Sequence, residues 1–147
     1  MKKIIGIGLL LVIVLSISGC NSNNNANNQQ GNNYISANDF KDALENNTNM
    51  IILDVQSQED YNIHHFAGST HFALSPISNN PSILTNLDSF ISQNMNTSQP
   101  IVIICGGGRT NATATFNYLV ENGISRDRLL VLENGIRNWP FPELLVQ

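Results

Sequence analysis

The stretch Ile101-Val102-Ile103-Ile104-Cys105-Gly106-Gly107-Gly108-Arg109-Thr110-Asn111-Ala112 decides how the rest of the chain is read. Four consecutive β-branched residues make a short apolar run, the pattern of a strand buried on both faces. A thiol follows at once, then three glycines and Arg109, and then an Ala-rich segment, Ala112 to Glu121, with helical character and Thr110 as its expected N-cap. The order is strand, thiol, glycine loop, helix start. Glycines can take positive φ, so their N–H groups can converge on one point, and the helix behind them adds partial positive charge. Such a pocket suits an anion, and a sulfur held in it favours the thiolate.

Outward from this stretch, strands and helices alternate. Tyr34-Ile35 reads as a first edge strand, and Ser36 as the N-cap of a helix with Asp39 in its first turn and Phe40, Ala43 and Leu44 on one face. Met50 to Val55 is a second buried-strand run that carries a carboxylate, Asp54, near its end. A polar turn at 56–58 leads to a short helix from Glu59 to Ile63, a turn at 64–69, and a short strand at 70–74. Ser75 to Pro81 is loop, Ser82 to Asn94 has helical spacing, and Gly123 stands where the helix after the thiol should end. Leu129 to Leu132 is the last buried strand, followed by an Asn134-Gly135 turn and a short helix, Ile136 to Trp139. This alternation predicts one α/β domain with a parallel sheet covered by helices on both faces. Ligands of such sheets gather beyond the carboxyl ends of the strands, where both Asp54 and Cys105 fall.

The N-terminus has a different character. Met1-Lys2-Lys3 precedes an almost unbroken apolar run, Ile4 to Ile17, the layout of a secretory signal. Its end, Ile17-Ser18-Gly19-Cys20, resembles the lipobox of bacterial lipoproteins, which implies cleavage after residue 19 and a diacylglycerol on the Cys20 sulfur. The expected organisation is a signal peptide at 1–19, lipidated Cys20 with an Asn-rich disordered tether through residue 33, and a folded domain at 34–147. The protein is then extracytoplasmic and anchored to the bacterial cell membrane. With a net charge of −4 for the whole chain and no basic patch, nucleic acid is excluded as a partner. With Cys20 blocked by lipid, Cys105 is left as the free thiol, a liability outside the cytoplasm unless buried or used.

Three separated motifs make the domain resemble the rhodanese family of sulfurtransferases. Leu53-Asp54-Val55, Glu59-Asp60-Tyr61 and His65-Phe66-Ala67-Gly68-Ser69 are similar to the family's L-D-V-R, helical E-Y and G-H-I-P-G-A. The Cys105 loop with its Ala-rich helix is the second motif. Leu132-Glu133-Asn134-Gly135-Ile136-Arg137-Asn138-Trp139 is similar to L-x-G-G-x-x-x-W. The resemblance implies a five-stranded parallel sheet and a cysteine that carries sulfane sulfur as a persulfide, with no cofactor and no metal. A small-molecule donor such as thiosulfate and a thiol or cyanide acceptor are the implied partners. Gly106, Gly107, Gly108, Arg109 and Thr110 are the expected substrate-binding residues, and Asp54 is expected to shape the site by accepting hydrogen bonds rather than acting as a base.

The departures from the family pattern are specific. Arg109 is the fourth residue after Cys105, where the family places Arg fifth, so either the loop is one residue shorter or Thr110 occupies the usual Arg position. Gln56 replaces the Arg after Asp-Val and Asn134 replaces a Gly. The altered loop leaves a second reading open, an inactive rhodanese-like binding or redox-sensing module. A tyrosine-phosphatase site is disfavoured because its arginine must come later to fold over a phosphate. His64, His65 and His71 read as a turn residue and two exposed ones rather than metal ligands, and Trp139 as a lid on the core.

Overall fold

The structure, a computed structural model, describes residues 31–74 and 81–147. The expected signal peptide and Cys20 lie outside the described residues, as does most of the loop before residue 81.

In chain order the elements are β1 (Tyr34–Ile35), α1 (Ala37–Glu45), β2 (Ile51–Asp54), α2 (Gln58–Ile63), β3 (His65–Phe66), β4 (Thr70–His71), α3 (Pro81–Asn94), β5 (Ile101–Ile104), α4 (Thr110–Glu121), β6 (Leu129–Leu132) and β7 (Leu145–Val146). The main sheet has five strands in the order β1-β6-β5-β2-β4, and every pairing in it is parallel. The predicted architecture is therefore the observed one. β5 lies at its centre, with Ile101 beside Ile51 on one flank and Leu129 on the other.

Alternation along β5 divides the core. Ile101, Ile103 and then Cys105 join the cluster under α3 and α4 with Leu87, Phe116 and Leu119. Val102 and Ile104 face the opposite cluster, which holds Phe40, Phe66 and Trp139. Trp139 packs edge-on against Phe40 and Phe66 and its indole Nε1 donates to the Phe141 carbonyl at 2.7 Å, so it covers the core as expected.

Two local expectations change. The segment at 64–69 is not only a turn: β3 pairs antiparallel with β7 to make a second, two-stranded ribbon. Residues 31–33, expected in the tether, bond to the domain: Asn32 Nδ2 donates to Thr113 Oγ1, the Asn33 carbonyl accepts from the Val131 N–H, and the Gly31 carbonyl accepts from Arg126. Backbone groups that enter the parallel ladder beside β6 must pair, which draws these residues onto the fold. At the far end of α4 the expected stop is present. The N–H groups of Gly123 and Ile124 donate to the carbonyls of Val120 and Leu119, with Gly123 at φ +102°.

Candidate active site

At the carboxyl end of β5 the chain leaves the sheet at Cys105 and enters α4 five residues later, at Thr110. Cys105 is 5% exposed. Its residue also lines an open cleft of about 360 Å³ with Gly106, Gly107, Arg109, Thr110 and Asn111 on the loop side. Across the cleft stand Gln56, Ser57, Asp60 and Arg137, none of which the sequence reading singled out as binding residues.

The helix does not start where expected. Thr110 is its first residue, and Arg109 holds the cap position with φ −129° and ψ −100°. The first intrahelical bond runs from the Thr113 N–H to the Arg109 carbonyl at 2.7 Å. An arginine side chain has no acceptor atom, so it cannot satisfy the free N–H groups of the first turn. The N–H groups of Gly106, Gly107, Gly108 and Arg109 likewise make no hydrogen bond among the described residues. Asn111 is occupied elsewhere, its Nδ2 donating to the Leu74 carbonyl at 2.6 Å. A run of unpartnered amides, closed by a helix dipole, therefore adjoins the thiol. Arg109 is the last residue of the loop and Thr110 the first of the helix.

The third motif holds this loop in place. The N–H groups of Ile136 and Arg137 donate to the carbonyls of Cys105 and Gly106, both at 3.0 Å. The backbones approach so closely that glycine is required on each side. A Cβ on Gly108 would stand 2.6 Å from the Leu132 carbonyl oxygen, and one on Gly135 would stand 2.5 Å from both the Cys105 and the Gly106 oxygens. Both residues also have φ +67°. Asn134, where the family pattern has Gly, adopts φ +61°, a conformation asparagine tolerates better than other side chains.

Asp54 is fully buried and does not line the cleft. Its carboxylate accepts from the Gln56 backbone N–H at 2.9 Å and from Gln56 Nε2 at 3.1 Å, so the loop it shapes is its own, one layer behind the cysteine. Gln56 Nε2 also reaches the His64 carbonyl at 3.3 Å, while its Oε1 is buried without a partner among the described residues. Burial pushes the Asp54 carboxyl above its ordinary range, against the opposing pull of the Gln56 donors and of His71 and His65. The neutral glutamine at position 56 gives this carboxylate hydrogen bonds but no opposite charge. The histidines are not the exposed pair expected from sequence: His65 and His71 are half-buried, each stacked 3.9 Å from the Tyr61 ring. His71 Nε2 is also 3.1 Å from the Gln56 carbonyl. Their place is set by stacking on Tyr61, which no local spacing reveals.

A parallel α/β sheet with a cysteine at the carboxyl end of its central strand, followed by an amide-lined loop and a helix start, defines the class of the domain. The rhodanese-like domain model of this class matches residues 36–140, and the chain belongs to the rhodanese-like domain family. Among solved structures, it is similar to a rhodanese-like domain protein of Staphylococcus aureus, with 26% identity and a TM-score of 0.59 over 78% of this chain and 96% of that one. A protein of Staphylococcus saprophyticus has 23% identity and a TM-score of 0.59 over 78% and 99% of the two chains. An As/Sb reductase of Leishmania major shares the fold at 15% identity, with a TM-score of 0.63 over 78% and 85%. No curated protein matches the sequence.

Proposed function

We propose that the protein is a sulfurtransferase that carries sulfane sulfur on Cys105. The observation that supports this reading is the set of unpartnered amides from Gly106 to Arg109, beside an uncapped helix start and a thiol, on an open cleft. The Cys105 thiolate attacks the outer sulfur of a donor such as thiosulfate. A new S–S bond forms to Cys105, the bond to the sulfonate sulfur breaks, and sulfite leaves with that electron pair. The persulfide anion is held by the loop amides, a preorganised electrostatic role. An acceptor thiolate or cyanide then attacks the outer sulfur and returns Cys105 as thiolate. No step needs a metal or an organic cofactor.

The membrane anchor belongs to the same proposal: lipid on Cys20 holds the domain at the outer face of the cell membrane, where donor and acceptor are small extracytoplasmic molecules. Replacing Cys20 by Ala releases the protein from the membrane fraction, and unchanged retention would refute the anchor. For the chemistry, thiocyanate release from thiosulfate and cyanide by the full-length protein falls by about 10³-fold or more in Cys105→Ser. Failure of the wild type to turn over any of several sulfane donors, with a thiol unreactive toward iodoacetamide, would favour instead a binding module whose loop, filled with glycine, no longer transfers sulfur.

A further inference from the structure

The cleft contains a second cation, supplied from outside the cysteine loop. Arg137 belongs to the third motif, yet its guanidinium lies on the first residue after the thiol. A Cβ on Gly106 would meet both Cζ and Nε of Arg137 at 3.0 Å, so glycine at 106 leaves room for this side chain. The Arg137 backbone is fixed by its N–H bond to the Gly106 carbonyl at 3.0 Å, and only the side chain is free to swing. Among the described residues that side chain makes one hydrogen bond, from Nη2 to Asp60 Oδ2 at 2.9 Å, and the pair is open to water at 64% and 34% exposure. An exposed pair of this kind is weak and exchangeable, while a guanidinium offers five N–H donors in a fork that fits a sulfonate. Gln56, where the family pattern carries Arg, lines the same cleft. Gln56 is neutral, so Arg137 supplies the positive charge on this side of the cleft.

We propose that Arg137 binds the anionic group of the sulfur donor, exchanging Asp60 for it, and that Asp60 is the counter-ion that holds the guanidinium over Gly106 while the cleft is empty. This rests on the sulfurtransfer reading and narrows its donor to oxyanionic sulfur compounds, thiosulfate and organic thiosulfonates. Asp60 competes with the donor, so the two variants act in opposite directions.

With the full-length protein and thiosulfate, Arg137→Ala raises KM about tenfold and leaves kcat within about twofold. Arg137→Lys recovers part of the loss, because charge remains and the fork is gone. Asp60→Asn lowers KM about twofold to threefold by removing the competitor. A monoanionic thiosulfonate shows a smaller KM change than dianionic thiosulfate. Binding is tested without turnover by titrating sulfate into Cys105→Ser and into Cys105→Ser/Arg137→Ala, followed by NMR shifts of the loop amides. Weaker sulfate binding in the double variant supports Arg137 even if the wild type proves inactive, which separates this inference from the catalytic one. Unchanged KM and sulfate affinity on removal of Arg137, or a fall in kcat alone that lysine does not restore, would overturn it.

Discussion

Three helices of this domain begin in two different ways. α1 and α2 start behind serines: Ser36 Oγ accepts from the Asp39 N–H and Ser57 Oγ from the Asp60 N–H, each at 3.1 Å. α4 starts behind Arg109, with no side-chain cap. The chain thus closes the starts of α1 and α2 with a serine and leaves open the one that follows the thiol. A free helix start costs stability, of the order of 1 kcal/mol in capping terms, and its amides become available to an anion.

This contrast can be broken most forcefully at Gly135. Gly135→Ala forces a Cβ into the carbonyls that the third motif pins, and is expected to destabilise the domain by about 3 kcal/mol in urea unfolding. A loss below about 1 kcal/mol would mean that the two loops do not touch as described. Ser36→Ala removes an ordinary cap away from the cleft, and its expected cost is about 1 kcal/mol, with sulfate affinity at the Cys105 loop little changed. Arg109→Ser sharpens the contrast, since it offers α4 the cap it lacks: stability rises by about 0.5 kcal/mol while sulfate binding weakens. A parallel fall in both would show that Arg109 is not at the cap position.

The smallest effect is expected behind the cleft, in the pH dependence of stability. Burial raises the Asp54 carboxyl above its ordinary value, so the folded state holds that proton more tightly than the unfolded chain. The stabilisation it contributes is complete below the ordinary value of 3.8 and is lost as pH rises through the higher folded value. Relative to Asp54→Asn, the wild type should therefore gain stability as pH falls from neutral through this window. Parallel unfolding free energies for the two proteins across that range would contradict it.

The sequence made much of this legible because the signals were local. The run Ile101–Ile104 could only be a buried strand, Gly123 an ending, and Ser36 a cap, since each rests on neighbours within a few residues. The β3/β7 ribbon was not legible: each strand has two residues, too few for periodicity, and each takes its partner from the other end of the domain. The outer wall of the cleft was missed for the same reason, because Asp60 and Arg137 meet across 77 positions. One signal was available, the glycine of Asn134-Gly135, whose demand for close backbone approach could have directed attention to the cysteine loop. The start of α4 was misplaced by one residue because Thr110 has the better capping chemistry. Tertiary hydrogen bonds from Ile136 and Arg137 fix the loop instead and put Arg109 at the cap.

The order of strands and helices, the thiol at a strand's end and the glycines that follow it belong to the sequence alone, because apolar periodicity and backbone freedom are properties of short stretches. Which amides stay unpartnered, which arginine overlies the first loop glycine and which carboxylate restrains it were decided only when distant segments met. Those facts depend on backbone approaches of a few ångströms between residues that have no relation along the chain.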